Sequence, residues 1–249
     1  MKEARKIIKF PAIKKEGRKR YQENDNKLKA SIHLRDLKSI VFNISSRHYL
    51  LRKEAKQLVT NIDIEICRYD ESQDEDIQIG EALAFFVRSD LSLAYGSLFQ
   101  VMDAHGQTLS DLYSALFRGK NENINRLNQY DVFGTNILFI DYFCLYPEYR
   151  GHGLGRPILM GLIEEISCGA DVAIIEPVPM RFEDEDKNVQ LQLPSLSDEE
   201  HERVRKKLCD YWRHLGFIPV EGTERFQVLP LNIMHPSVNE LFNEISGNR

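Results

Sequence analysis

Residues 136–175 are predicted to form one unit, which constrains the fold most. The unit consists of a strand, a glycine-rich turn, a helix and a second strand. Residues 136–145 are rich in Ile, Phe, Tyr and Leu and carry one charge, Asp141, which predicts a central strand buried on both faces. An apolar stripe at helical spacing runs from Leu154 to Gly169, and residues 172–175 form another apolar run. We therefore expect two parallel strands joined by a right-handed crossover helix.

The rest of the chain adds shorter elements, identified from hydrophobic periodicity. Strands are predicted at residues 39–44, 61–69, 79–87, 217–220 and 226–229. Helices are predicted at residues 48–58, 98–102, 108–117, 197–215 and 237–245. Residues 70–76 are predicted to be an acidic hairpin loop, and residues 177–194 a long polar loop. The predicted class is α/β of the α+β type: a mixed, mostly antiparallel central sheet with flanking helices.

Composition separates a basic N-terminal extension from one larger domain. Residues 1–30 contain eleven Lys or Arg and four acidic residues, whereas the whole chain carries a net charge of −5. The overall charge argues against a nucleic-acid-binding protein, although the basic extension leaves contact with a nucleic acid or an acidic partner open. Residues 31–249 are expected to form a single domain with a helical insertion at about residues 88–134.

Cysteine usage and hydropathy indicate the compartment and exclude two classes of protein. The four cysteines show no CxxC spacing, so we expect no metal site, and each is predicted to be a small buried side chain in a reducing compartment. Cys67 is expected to share the polar face of its strand with Asp63 and Glu65. No apolar run is long enough to span a membrane, and no secretory signal follows the basic N-terminus. The sequence therefore predicts a cytoplasmic protein.

The glycine-rich turn has the composition of an anion-binding site. It consists of Arg150, Gly151, His152, Gly153, Leu154 and Gly155, and Arg156 follows it. Backbone N–H groups and the helix dipole favour a phosphate at a helix N-terminus, and arginines add charge-assisted contacts. The turn lacks the Lys-Ser/Thr of a P-loop and the spacing of a dinucleotide-binding loop. An alternative without a ligand is that the glycines only permit tight packing of the helix on the sheet.

Two segments resemble the GCN5-related N-acetyltransferases. The family's motif A has the pattern Q/R-x-x-G-x-G/A, which Arg150, Gly153 and Gly155 fill here. The segment Tyr211 to Phe217 is similar to the family's aromatic–x–x–Leu-Gly-Phe ending of the last core helix. The resemblance covers about residues 136–230.

The resemblance implies a fold, a cofactor and a reaction. The strands at 136–145 and 172–175 would splay apart, with acetyl-CoA between them as acyl donor. The backbone near Phe143 and Leu145 would bind the pantetheine, and the amides from Arg150 to Gly155 would bind the pyrophosphate. The acceptor would be a primary amine of a small molecule or a protein.

The reaction also needs residues that accept and donate protons. Asp141 and Glu176 are candidate bases, because Asp141 lies in one of the two splayed strands and Glu176 directly follows the other. Either could instead be structural. Relatives often carry a Tyr acid where this chain has Trp212, so Tyr211 is the remaining candidate acid, one residue out of register. A binding or sensor protein without catalysis is therefore the alternative function. The insertion at 88–134 could line the acceptor site or form a homodimer interface.

Overall fold

The structure, a computed structural model, describes residues 39–48, 54–95, 97–117, 126–132, 134–178, 181–185, 188–192, 197–223 and 225–247. The basic extension at 1–30 and residues 49–53 of the predicted helix at 48–58 lie outside this part of the chain. Within the described residues no helix is both long enough and apolar enough to cross a membrane.

The described residues contain nine strands, seven of which form one mixed sheet. The strands are β1 (Ile40–Ser46), β2 (Val59–Asp70), β3 (Glu75–Val87), β4 (Ile137–Leu145), β5 (Val172–Ile175), β6 (Arg181–Glu185), β7 (Asn188–Gln192), β8 (Ile218–Pro219) and β9 (Gln227–Pro230). The large sheet has the order β1-β2-β3-β4-β5-β9-β8. Only β4 and β5 pair in parallel, so the predicted mostly antiparallel sheet with one parallel pair is confirmed.

Five α-helices and four 3₁₀ turns connect the strands in the described residues. The helices are α1 (Leu98–Asp103), α2 (Gln107–Phe117), α3 (Gly155–Ile166), α4 (Asp198–Arg213) and α5 (Val238–Gly247). The 3₁₀ turns are Ala55–Leu58, Ser89–Tyr95, Arg126–Tyr130 and Pro147–Tyr149. The predicted capping box begins α4, because Ser197 accepts from the Glu200 amide and Glu200 reaches back to Ser197. Gly216, at φ +97°, follows its end.

Helices α1 and α2 cover one face of the sheet. Leu109, Leu112 and Leu116 of α2 are at most 2% exposed and join one core cluster with sheet residues such as Phe139 and Ile174. Val101 and Met102 of α1 belong to the same cluster. The predicted helical insertion is therefore part of the hydrophobic core.

Four local predictions differ from the structure. The described end of the helix predicted at 48–58 is the 3₁₀ turn Ala55–Leu58. Residues 177–194 were expected to be a loop but contain the antiparallel hairpin β6–β7. Cys67 is 2% exposed, which confirms its predicted burial but not its place on the polar face of β2; at this point the register with β3 shifts past Ile79, and Asn43 donates to the Cys67 thiol. This burial raises the pKa of Cys67 to about 11. Cys168, expected to be buried, lies exposed just after α3.

Candidate functional site

Strands β4 and β5 part midway along β4. Their parallel pairing runs from Ile137 opposite Val172 to Ile140 opposite Ile175 and ends there. β4 continues to Leu145, paired with β3 alone. Asp141 is the extra residue at this point, because Ile140 pairs with Ala84 and the next β4 partner, Tyr142, pairs with Leu83. The second half of β4 therefore has an edge that no other described strand covers.

The two predicted bases lie at this parting. Asp141 and Glu176 directly follow the last pair, Ile140 and Ile175. The pKa of Asp141 is raised to about 6, mainly by burial and also by the Glu176 charge, whereas the Arg225 charge acts to lower it. Among the described residues, Asp141 makes no side-chain hydrogen bond or ion pair. A carboxyl group with this pKa can take up a proton near neutral pH.

Glu176 is held in an ion pair, unlike Asp141. Arg225 donates from Nε to Glu176 Oε1 at 2.7 Å and from Nη2 to Oε2 at 3.2 Å. The third guanidinium nitrogen, Nη1, donates to Asp111 on α2. The structure thus brings both predicted carboxylates together and adds two residues, Asp111 and Arg225, that the sequence did not single out.

Most amides of the glycine-rich turn have no acceptor among the described residues. The Arg150 amide donates to Pro147 O, and the Arg156 amide donates to the Tyr211 hydroxyl. Between them, the amides of Gly151 to Gly155 have no acceptor within the described part of the chain. Gly151 and Gly153 have φ values of +79° and +80°, which favour glycine. No described atom lies within 4 Å of where a Cβ of Gly151 would stand, so the turn is open at Gly151, whereas a Cβ on Gly153 would come within 3.3 Å of Ile245 of α5.

The two arginines that flank the turn are placed differently. Arg150 folds back onto the end of β4, where its Nε donates to Leu145 O at 2.7 Å and its Nη2 contacts Cys144 Sγ at 3.0 Å. Arg156 stacks its guanidinium over the Tyr211 ring, 5.5 Å from the centroid. The Leu145 carbonyl, predicted to bind pantetheine, is therefore already an acceptor for Arg150.

Aromatic side chains of α4 lie between the turn and the open edge of β4. Tyr211 contacts the first turn of α3, and a Cβ on Gly155 would come within 2.9 Å of its hydroxyl. Trp212 is 6% exposed and packs edge-on against Phe143 of β4, with ring centroids 5.9 Å apart. Burial raises the pKa of Tyr211, opposed by Arg156, which makes the phenol a weaker acid.

Two buried polar atoms in this region lack a partner among the described residues. One is Nε of Arg156, at the turn. The other is Oε1 of Gln227, a fully buried residue that pairs with Ile175 and donates through Nε2 to Cys209 O of α4. Both atoms are shielded from solvent, so the amides of the turn, rather than these atoms, carry the fit to a ligand. The amides suit the diphosphate of a CoA thioester, whereas the inward position of Arg150 adds nothing to that fit.

The charged cluster formed by Asp111, Glu176 and Arg225 also borders a cavity. It has a volume of about 330 Å³ and is lined by Glu202, Arg205, Thr223 and Arg225. Arg225 thus contacts Glu176 and also lines this cavity. Across the described residues, no group of three or more His, Cys, Asp or Glu side chains is placed to hold a metal ion.

Sequence reasoning missed Arg225 and Asp111 for a physical reason. Asp111 is the single charge of an amphipathic helix and Arg225 lies in a short polar turn, and only the folded chain brings residues 111, 176 and 225 together. No protein-family model matches the chain, and a search of curated proteins finds no match.

Proposed function

We propose that this protein is an N-acetyltransferase that moves an acetyl or short acyl group from acetyl-CoA to a primary amine. The supporting observation is the joint placement of two features: amides without acceptors at the N-terminus of α3, and a parallel strand pair that opens beside that turn. An anion at the amides and an extended arm along the free edge of β4 match the two halves of CoA.

The reaction needs placement and one proton acceptor. The neutral amine attacks the thioester carbonyl, a C–N bond forms, the C–S bond breaks, and the sulfur leaves as a thiolate that takes up a proton. Asp141 is the proposed acceptor of the amine proton, directly or through a water molecule. Glu176 is the less suitable of the two predicted bases, because both of its oxygens bind Arg225.

Tyr211, the predicted acid for the thiolate, lies at the turn that would hold the diphosphate. The Tyr211 hydroxyl accepts a hydrogen bond from the Arg156 amide, at the turn rather than at the parting of the strands. This contact and the raised pKa favour a role for Tyr211 in shaping the turn. Solvent then remains as the source of the proton for the thiolate.

A non-catalytic CoA-binding or sensor protein is the second candidate. It is favoured by Trp212, which fills the position where relatives often carry the acid and which packs against the β4 edge. Incubation with acetyl-CoA and a panel of amines, followed by detection of free thiol, separates the two functions. If the protein binds CoA but releases no thiol with any amine of the panel, the second candidate is supported.

A matched pair of variants tests the anion site. Gly151→Asp and Gly151→Asn have nearly the same shape, both tolerate positive φ better than most residues, and the site has room for either. Only Asp places a negative charge beside the diphosphate. By calorimetry we expect the Asp variant to bind acetyl-CoA at least about tenfold more weakly than the Asn variant does. Equal affinities in the two variants would exclude a diphosphate at this turn.

A further inference from the structure

We propose that Asp111 and Arg225 are positioning residues: they hold Glu176 in a fixed ion pair, so that Asp141 is the one carboxylate left to accept the amine proton. This inference rests on the proposed function and deepens it. It connects the helical insertion to the chemistry of the site through one chain of charged groups.

The first argument is geometric. Arg225 uses three nitrogen atoms, two on Glu176 and one on Asp111. Asp111 is itself oriented, because Gln107 on the same helix donates to its other oxygen at 2.6 Å. The guanidinium also lies over the Phe226 ring, 5.0 Å from the centroid. A guanidinium held on these three sides has little freedom, so it fixes the Glu176 carboxylate in the plane that a bidentate pair requires.

The second argument concerns which carboxylate can act. Both oxygens of Glu176 are occupied, whereas Asp141 has no partner within the described residues. The two carboxyl groups follow the same strand pair, Ile140 and Ile175, so the Glu176 charge raises the pKa of Asp141. A cation on Glu176 offsets that repulsion and keeps Asp141 ionisable near neutral pH.

The charged groups around Asp141 come from four elements. Glu176 follows β5, and its charge raises the Asp141 pKa; Arg225 precedes β9 and lowers it. Tyr142, next to Asp141 on β4, has a pKa raised mainly by burial. Asp111 of α2 stands behind Arg225. Loss of the Arg225 charge leaves Glu176 uncompensated, and the Asp141 pKa must then rise.

The main test follows the titration of Asp141 with and without this cation. Carboxyl ¹³C NMR of aspartate-labelled protein gives the midpoint directly, and Asp141→Asn assigns the signal. In Arg225→Gln we expect the midpoint to move up by about one pH unit. In the double variant Arg225→Gln/Glu176→Gln, which removes both charges, we expect it to return towards the parent value. Asp111→Asn, which loosens Arg225 without removing it, should give a smaller upward shift.

A parallel measurement of thiol release separates this inference from the proposed function. The acidic limb of the kcat/KM profile should shift with the NMR midpoint in each variant. A parent protein that releases no thiol with any amine would overturn the proposed reaction. The NMR titration would still test whether Arg225 and Glu176 control the ionisation of Asp141. An Asp141 midpoint that is unchanged in folded Arg225→Gln would overturn the positioning role itself, as would identical kcat/KM limbs in an active enzyme.

Discussion

Asp141 combines partial burial, an irregular backbone and the absence of a described partner. A carboxylate that is partly removed from water without a hydrogen bond destabilises the fold unless it becomes protonated. The bulge at Asp141 interrupts the β3–β4 register at the place where β4 loses its other neighbour. A stable fold would be better served by an apolar residue at this position. The cost in stability is consistent with a group kept for proton transfer.

This cost predicts a pH-dependent effect of Asp141→Asn. The folded pKa of about 6 lies above the ordinary value of 3.8, so the folded state binds more protons between these values and loses stability as pH rises through about 6. The Asn variant lacks this loss. In urea unfolding it should exceed the parent by about 1 to 3 kcal/mol at pH 8, with a smaller difference at pH 4.

Removal of one negative charge elsewhere controls for a general charge effect. Glu164 is exposed on α3, away from the cluster, so Glu164→Gln serves as the matched loss of one carboxylate. A difference between Asp141→Asn and the parent that is the same at both pH values would show that Asp141 is not strained by ionisation in the folded protein.

At the scale of elements, sequence pattern predicts what periodicity encodes and misses what only tertiary contacts decide. Strand β4 and helix α3 are long and apolar, so their types and the parallel pairing with β5 could be predicted. The β6–β7 hairpin could not, because its sequence carries more charge than a buried strand. The partner of Glu176 could not be predicted either, since Arg225 lies 49 residues away in the chain.

Packing of α4 on the open edge of β4 gives a spectroscopic prediction. Trp212 is the single tryptophan of the chain and contacts Phe143 at that edge. A pantetheine arm along the edge would change the surroundings of the indole, so titration with CoA should give a saturable change in tryptophan emission. ADP, which carries a diphosphate but no such arm, should bind more weakly and change the emission less. Binding of CoA by calorimetry with no change in emission would place the ligand away from this edge.

For the molecule as a whole, helices α1 and α2 form a layer of the core that also reaches the site. α2 contributes buried leucines to the cluster beneath the sheet, and Asp111 of the same helix contacts Arg225. Leu112 is fully buried, and Asp111 precedes it directly. The packing of α2 therefore fixes the distance between the strands and the linked charges of Asp111, Arg225 and Glu176. The homodimer surface suggested for the insertion would have to use its outer side.

A core mutation in α2 distinguishes an integral layer from a separable one. Leu112→Ala removes a fully buried side chain between α2 and the sheet and should lower the free energy of unfolding by about 2 to 5 kcal/mol. Because the same cluster includes β4, β5 and β9 residues, the variant should still unfold in one cooperative transition by circular dichroism. Thr108→Ala on the same helix, at a half-buried position outside that cluster, should change stability by only about 0.5 kcal/mol. Two separate unfolding transitions in Leu112→Ala, with the sheet persisting after α2 has melted, would contradict a shared core.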